Sequence, residues 1–229
     1  GGAANVALNI QSLGAQPYLC AVIGEDEPGQ RLTQRLDDWG MPNSGMFVSA
    51  DRPTTIKTRV MSGHHHVVRV DEETDSILTS EEQKGMLENI ERLLPEMDVI
   101  IFEDYDKGVV TPGLIERVVK LAKEHKIPVV VDPKKRNFFD YSGVQLFKPN
   151  LKELKEGLNV SFDKKDREAV KTHVGTLRKK LACDTVMVTL SELGVYIDDG
   201  TSTEFIDAHI REISDVSGAG DTVISVAAL

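Results

Sequence analysis

The chain has 229 residues, a length that fits one large α/β domain or two small ones. Its 27 basic and 37 acidic residues give a net charge of −10, which argues against nucleic acid and anionic membranes as partners, because both require a basic surface. Its two cysteines, Cys20 and Cys183, lie far apart in apolar runs, and no run is long enough to span a bilayer, which predicts reduced core thiols and a cytoplasmic location.

In chain order, the first third predicts a helix, a strand, a second helix and then a small β insert. Helical periodicity over residues 3–13 ends at Gly14, a residue suited to a helix C-terminus, and a short apolar strand follows over 18–23. An amphipathic helix covers 27–39. Short β-branched runs divided by turn residues then predict an antiparallel insert at about residues 44–71 that packs as a lid; they cover 45–48, 54–61 and 67–70.

From residue 81 onward, strands and helices alternate. The predicted helices cover 81–94, 112–125, a segment from Asn150, 166–181 and 222–229, and the predicted strands cover 99–102, 129–131, 145–147, 185–189, 195–197 and 204–206. Apolar strands that alternate with helices are typical of a buried, mostly parallel sheet with helices on both faces. The sequence therefore predicts one α/β domain over residues 1–229 with three α/β/α layers, in which ligands bind beyond the carboxyl ends of the strands.

Polar residues follow four successive strands of this predicted sheet. They occupy 103–108, 132–135, 148–153 and 191–194, and they include acids, lysines, an asparagine and a glycine. Each loop taken alone is readily explained as an ordinary polar surface loop. Together on one sheet edge, they suit phosphoryl transfer, which needs cations for the developing charge, acids to hold Mg²⁺ and a base for the nucleophile.

The segment 215–222, Asp-Val-Ser-Gly-Ala-Gly-Asp-Thr, places two glycines directly before an apolar helix. The N–H groups of Gly218, Ala219 and Gly220 and the helix dipole form an anion hole suited to phosphate. A carboxylate at its mouth repels phosphate, so Asp221 is a candidate for proton abstraction from an attacking hydroxyl. Asp221 could equally be an acid that complements the helix dipole, and the local sequence leaves both interpretations open.

Several motifs together resemble the ribokinase-like (PfkB) family of sugar kinases over essentially the whole chain. Residues 1–7, Gly-Gly-Ala-Ala-Asn-Val-Ala, match its first signature, residues 215–221 match its second, and 149–153 carries its Asn-x-x-Glu element. Looser motifs resemble the subgroup that phosphorylates D-glycero-D-manno-heptose 7-phosphate at C1, on the pathway to ADP-heptose for lipopolysaccharide; they lie at 54–60, 68–71, 104–108 and 132–134. In many bacteria such a kinase is one half of a bifunctional protein that also contains an adenylyltransferase.

The resemblance implies a ribokinase-like fold and a role for each candidate residue. Asp221 would be the base for the anomeric hydroxyl, while the N–H groups of Gly218, Ala219 and Gly220 hold the transferring phosphoryl group. Asn150 and Glu153 would act at the ATP phosphates, with Glu153 ordering Mg²⁺ through water, and Ser191 and Gly194 would lie near the nucleotide.

The same resemblance assigns substrate-binding residues. Gly1, Gly2, Asn5 and Asp104 would face the sugar. Lys57, Arg59 and Arg69, on lid strands, would bind the substrate's 7-phosphate, with Lys107 and Lys134 as further cations. Lys57 and Arg59 alternate along one strand and therefore share a face, which is equally consistent with a solvated lid surface.

The implied cofactors are ATP and Mg²⁺, with the monovalent cation that some relatives use, and the implied partners are a sugar phosphate and ATP. The exposed strand edges of the lid predict a homodimer formed through it.

The family's first strand would precede Gly1 and its last helices would follow Leu229, so we expect the sequence to be a fragment truncated at both ends. Two alternatives stay open: a PfkB kinase for another sugar or a nucleoside, and a non-catalytic sugar or nucleotide binder.

Overall fold

The computed structural model describes residues 2–62, 65–208 and 218–229. Within these residues the α-helices are α1 (Gly2–Ser12), α2 (Glu27–Asp38), α3 (Ser80–Leu93), α4 (Pro112–His125), α5 (Leu151–Leu158), α6 (Arg167–Leu181) and α7 (Ala219–Ala227). The strands are β1 (Ala21–Gly24), β2 (Met46–Ser49), β3 (Ile56–Ser62), β4 (His65–Glu72), β5 (Ile100–Glu103), β6 (Val129–Asp132), β7 (Leu146–Phe147), β8 (Thr185–Thr189), β9 (Val195–Asp198) and β10 (Thr203–Ile206). None of the described helices is long and apolar enough to cross a membrane.

The helix starts follow from side chains that cap the first turn. The hydroxyl of Thr111 accepts a hydrogen bond from the N–H of Leu114 at 3.2 Å, and Pro112 occupies the first helical position of α4. Asp166 caps α6 in the same way, through the N–H of Ala169. These caps satisfy backbone donors that have no partner inside the helix, which is why both helices begin where the sequence predicts.

The main sheet has six strands in the order β10-β9-β8-β7-β6-β5. Strands β5, β6, β7 and β8 pair in parallel, while β9 pairs antiparallel with both β8 and β10. The prediction of a mostly parallel central sheet is therefore confirmed. The carboxyl ends of four neighbouring parallel strands lie at one edge of this sheet, which is the edge where ligands bind in such folds.

Helices cover both faces of the sheet. Val129 and Val131 of β6 pack into a core cluster with side chains of α4, α5 and α6. Val130, between them, packs into a second cluster with Val6 of α1 and Ile224 of α7. Because successive side chains of a strand point to opposite faces, these two clusters lie on opposite sides of the sheet. The predicted three-layer α/β/α architecture is confirmed.

The lid differs from the prediction at its first strand. We expected residues 45–48 to join the antiparallel insert, but β2 pairs in parallel with β1, with Ala21 opposite Met46. Only β3 and β4 pair antiparallel with each other. The assignment of β2 to the lid is wrong because short β-branched runs indicate strands without specifying their partners. The lid is the hairpin formed by β3 and β4.

This lid hairpin has two chemically different faces. Arg59 lies opposite Arg69, and the next pair on that face is Lys57 with Asp71. The other face carries the pairs Val60 with Val68 and Thr58 with Val70. Its valines are 45–50% exposed. Lys57 and Arg59 thus share one face of the hairpin, as predicted, and the opposite face is apolar and exposed.

Candidate functional site

The polar strand ends converge as the parallel pairing requires. Glu103 at the end of β5 lies opposite Asp132 at the end of β6, so their side chains share one face. Beyond β7, Asn150 forms an isolated parallel bridge with Thr189 at the end of β8. Residues far apart in sequence therefore meet at a single edge of the sheet.

Asp221 lies in the first turn of α7, close to residues from two other elements. Asn5 of α1 donates a hydrogen bond from Nδ2 to Asp221 Oδ2 at 2.7 Å, and the hydroxyl of Tyr105 lies 3.4 Å from Oδ1. Gly218 caps α7 with φ of 81°, a left-handed conformation that glycine adopts without strain. Asp221 thus complements the helix dipole and also faces the two segments that the resemblance assigns to the sugar.

A buried ion pair lies directly beside Gly220. Lys148 Nζ binds Asp132 Oδ2 at 2.8 Å, and both side chains are less than 10% exposed. A Cβ at Gly220 would lie 3.7 Å from Lys148 Nζ and 3.8 Å from Asp132 Oδ2. The start of α7 is therefore a cradle of small residues with an ammonium group at its side, an arrangement that suits an anion such as phosphate.

Glu103 contributes a carboxylate with an unusual environment. Its Oε2 atom is buried and has no hydrogen-bond partner among the described residues. Burial raises its pKa to about 8, and the charges of Asp132 and Asp221 act in the same direction. A carboxyl group in this state holds a proton near neutral pH and can donate a hydrogen bond.

Tyr105 lies between Gly2 and Asp221. A Cβ at Gly2 would lie 1.8 Å from the Tyr105 hydroxyl oxygen, so only glycine fits there in this arrangement. Lys134 Nζ lies 5.9 Å from the centre of the Tyr105 ring. Burial is the largest cause that raises the pKa of the Tyr105 hydroxyl, and the negative charges of Glu103 and Asp221 raise it further. The phenol therefore stays protonated and can act as a hydrogen-bond donor.

The Asn-x-x-Glu element forms the start of α5. Asn150 Oδ1 accepts from the N–H of Glu153 at 2.9 Å, and Glu153 Oε2 accepts from the N–H of Asn150 at 2.8 Å. This reciprocal pair is a capping box. Lys134 Nζ binds the remaining oxygen of Glu153, Oε1, at 2.6 Å. Glu153 is therefore in direct contact with two other predicted site residues, Asn150 and Lys134.

Ser191 and Gly194 lie in the turn after β8. Both have positive φ angles, 55° and 89°. A Cβ at Gly194 would lie 1.9 Å from the carbonyl oxygen of Ile206, so packing of this turn against β10 by itself requires glycine. Their role at the nucleotide remains a prediction.

Asp104, which the resemblance assigns to the sugar, has internal hydrogen-bond partners in the structure. Its side chain is buried, with the residue 2% exposed. Oδ2 accepts hydrogen bonds from Asn137 Nδ2 and from the hydroxyl of Tyr141, both at 2.9 Å, and Oδ1 accepts from the N–H of Asp106. Because these internal donors occupy the carboxylate, Asp104 holds the loop after β5 in position, and its contact with the sugar stays a prediction.

The lid cations are mostly engaged in ion pairs. Lys57 Nζ binds Glu73 at 2.7 Å and lies 3.5 Å from Asp71, and Arg69 binds Asp71 at 3.0 Å. Lys107, in the loop after β5, also binds Glu73. The structure therefore brings Lys57 and Lys107 together. Gly1 and residues 215–217, which belong to the two signatures, lie outside the described residues.

Sequence reasoning gave no individual role to the site residues Glu103, Tyr105, Asp132 and Lys148. Each lies within a polar strand-end segment, but the segment alone does not show which side chains face the cradle. A usable signal was present in Glu103 and Asp132, because each is a charged residue that ends an otherwise apolar strand. Such a position leaves the carboxylate at the ligand-binding edge of the sheet.

Comparison with known proteins agrees with this geometry. The model of the pfkB family carbohydrate kinases matches residues 1–229. The bifunctional protein HldE of Citrifermentans bemidjiense is 37% identical over 230 residues, covering 100% of this chain and 47% of that protein. The same-named protein of Wolinella succinogenes is 38% identical over 225 residues, covering 98% of this chain and 47% of that protein. The chain thus spans about half the length of the curated relatives it matches.

Solved structures share the fold at lower sequence identity. The tetrameric inhibited form of phosphofructokinase-2 from Escherichia coli superposes with a TM-score of 0.79 at 18% identity, covering 98% of this chain and 73% of that one. The same enzyme has been solved in complex with potassium. At this identity the likeness shows the ribokinase-like fold alone.

Proposed function

The chain belongs to the pfkB family of carbohydrate kinases, and on this premise we propose that it transfers a phosphoryl group from ATP to a sugar phosphate. The proposed acceptor is D-glycero-D-manno-heptose 7-phosphate, phosphorylated at C1 to the 1,7-bisphosphate for ADP-heptose and lipopolysaccharide core synthesis. The relatives at 37–38% identity, which carry the name HldE, support this choice.

The observation that carries the proposal is the position of Asp221. Its carboxylate lies in the first turn of α7, is held by Asn5 at 2.7 Å, and is next to the Gly220 cradle beside Lys148. A proton acceptor and an anion-binding helix start are thus adjacent, and phosphoryl transfer to a hydroxyl needs both. A protein that only binds sugar has no use for this combination.

In the proposed mechanism, Asp221 accepts the proton of the anomeric hydroxyl as the oxygen attacks. The hydrogen bond from Asn5 fixes the carboxylate through Oδ2, and Oδ1, which the Tyr105 hydroxyl approaches at 3.4 Å, would accept the proton on its second lone pair. The N–H groups at the start of α7 and the Lys148 ammonium stabilise negative charge on the transferring group. Asp132 holds Lys148 in place, because a buried ammonium needs a buried partner.

The residues present fit ATP and Mg²⁺, the cofactors that the kinase family implies. The cradle at Gly220 fits a phosphate, and when bound, Mg-ATP supplies the phosphoryl group with part of its charge neutralised. No group of three or more acidic, histidine or cysteine side chains suited to a metal occurs within the described ranges. We assign Asn150 and Glu153 to the ATP phosphates, as the family resemblance implies, with Glu153 acting on Mg²⁺ through water, since magnesium commonly keeps several waters in kinases.

The remaining contacts are proposals of the same kind. Gly1, Gly2 and Asn5 would contact the sugar, and Ser191 and Gly194 the nucleotide. The acceptor's own phosphate would bind the lid and the nearby loops, through the cations Lys57, Arg59, Arg69, Lys107 and Lys134. A monovalent cation belongs in the assay as well, because phosphofructokinase-2 has been crystallised with potassium.

We also assign the exposed apolar face of the lid hairpin to a second copy of the chain. Val60, Val68 and Val70 form a continuous apolar strip on a two-stranded hairpin, which is marginally stable in water by itself. Pairing two such faces would cover both strips and leave the cationic faces directed to the active sites. A homodimer through the lid is therefore the proposed assembly.

The full-length protein should be tested with Mg-ATP, potassium and a panel of acceptors, with ADP release as the measurement. Heptose 7-phosphate should give the highest kcat/KM, above fructose 6-phosphate, free sugars and nucleosides. A better turnover of another acceptor would show that the substrate is wrong while the kinase proposal stands. Absence of ADP release with every acceptor would favour a non-catalytic binder.

A further inference from the structure

Glu73, directly after β4, holds two of the candidate phosphate-binding lysines at once. Its Oε2 binds Lys57 Nζ of β3 at 2.7 Å, and its Oε1 binds Lys107 Nζ at 2.5 Å. Each carboxylate oxygen thus takes one ammonium group. Neither the Asn-x-x-Glu element nor the two family signatures includes Glu73, and the proposed mechanism gives it no role.

The three side chains form a partly enclosed cluster. Their exposed fractions are 33% for Lys57, 31% for Lys107 and 21% for Glu73, against 73% for both partners of the surface pair Arg31–Glu27. Solvent screens charges less as they become buried, so Glu73 interacts with the lysines more strongly than a surface acid would. The hydrogen bond from Lys107, followed by that from Lys57, accordingly lowers the pKa of Glu73.

One side of this cluster is fixed to the body of the protein. Arg52 donates to the carbonyl oxygen of Lys107 at 2.7 Å and to that of Ser76 at 2.6 Å. The N–H of Leu78 donates to the carbonyl oxygen of Gly108 at 3.1 Å. The loop with Lys107 and the segment after Glu73 are therefore held together, whereas Lys57 belongs to the lid hairpin. Through its second oxygen, Glu73 ties the hairpin to the sheet edge.

A short stretch of chain connects this cluster to the proposed reaction centre. Lys107 follows Tyr105 by two residues, at most about 7 Å of chain, and the Tyr105 hydroxyl lies 3.4 Å from Asp221. A phosphate monoester can offer one oxygen to each of two ammonium groups, as a carboxylate does, and carries more charge. A neutral sugar has no group that can replace a carboxylate between two lysines.

We propose that Glu73 is an internal stand-in for the acceptor's phosphate: it neutralises Lys57 and Lys107 in the free protein and is displaced when the substrate phosphate binds them. This inference rests on the proposed function, because it requires a phosphorylated acceptor. Glu73 then lowers the affinity for all phosphate-bearing ligands by a common factor.

The test compares Glu73→Gln with Glu72→Gln in the full-length protein. Glu72 is the adjacent residue, is exposed and has no ion pair within the described part of the chain, so it controls for the change in net charge.

Removing the competing charge should lower KM for the sugar phosphate by about three- to tenfold at low ionic strength. The effect should shrink at high salt. Glu72→Gln should leave KM within about twofold of the parent. An unchanged or raised KM in Glu73→Gln would overturn the proposal.

A second measurement separates this inference from the proposed function. Calorimetric titration with inorganic phosphate does not require turnover, and Glu73→Gln should bind it more tightly than the parent by the same factor. If the parent turns over no acceptor, tighter phosphate binding still supports the displacement of Glu73. Equal phosphate affinity in the two proteins contradicts it, whether or not the parent is an active kinase.

Discussion

Asp221 is the single residue with the most direct consequence for activity. Asp221→Asn preserves the size of the side chain and an oxygen that can accept from Asn5, but it removes the proton acceptor. We expect kcat to fall by about 10²- to 10⁴-fold, the usual contribution of a general base. ADP release gives kcat, and calorimetry should find the affinity for ATP nearly unchanged. Activity within tenfold of the parent would exclude Asp221 as the base.

Glu103 makes stability depend on pH. With its pKa raised from 4.5 to about 8, the folded protein keeps a proton on Glu103 that the unfolded chain releases. Stability therefore falls as pH rises between these values. Glu103→Gln removes this titration, so its stability relative to the parent should rise between pH 5 and pH 8.

The expected gain for Glu103→Gln is on the order of 2 kcal/mol, since partial exposure reduces the effect of the shift. Urea denaturation at pH 5, 6.5 and 8 measures it, with Asp140→Asn, an exposed acid, as the control. A stability difference that does not change with pH would show that Glu103 is ionised in the folded protein.

At the scale of elements, Asp104 joins the loop after β5 to the segment after β6. Asp104→Ala leaves Asn137 and the Tyr141 hydroxyl without their shared acceptor in a buried site. We expect a loss of about 3 kcal/mol in the free energy of unfolding, measured with urea, because buried donors would lose their partner. Asp140→Ala should cost less than about 0.5 kcal/mol. Equal effects of the two substitutions would contradict the structural role of Asp104.

At the scale of the whole molecule, the apolar face of the lid hairpin determines the assembly. Val68→Glu adds a charge to this face, which would be buried between two copies, so the proposed dimer should dissociate. Val48→Glu is the matched control, because Val48 is 55% exposed and lies on β2, outside the lid hairpin. Light scattering after size-exclusion chromatography should find a monomer for Val68→Glu and a dimer for the parent and the control. A monomeric parent, or a dimeric Val68→Glu, would exclude the interface.

The sequence by itself determined the order and type of the elements and the mostly parallel sheet. It also located the glycine-rich segment before the last helix, with Asp221 at its end, and a helix that starts at Asn150. These features depend on apolar periodicity, caps and strand-end chemistry, all of which act within a few residues of the chain. Helix α4 and strand β8 therefore begin and end where the pattern predicts.

Only the tertiary structure decided which partners meet. Asn5 and Asp221 are 216 residues apart, Asp104 and Tyr141 are 37 apart, and Glu73 and Lys107 are 34 apart. A short pattern identifies a strand such as β2, or an acid such as Asp104, but it does not contain the neighbour against which that residue packs. Burial and charge at these positions come from distant segments, so the partner of β2, the internal bonds of Asp104 and the environment of Glu103 required the folded chain.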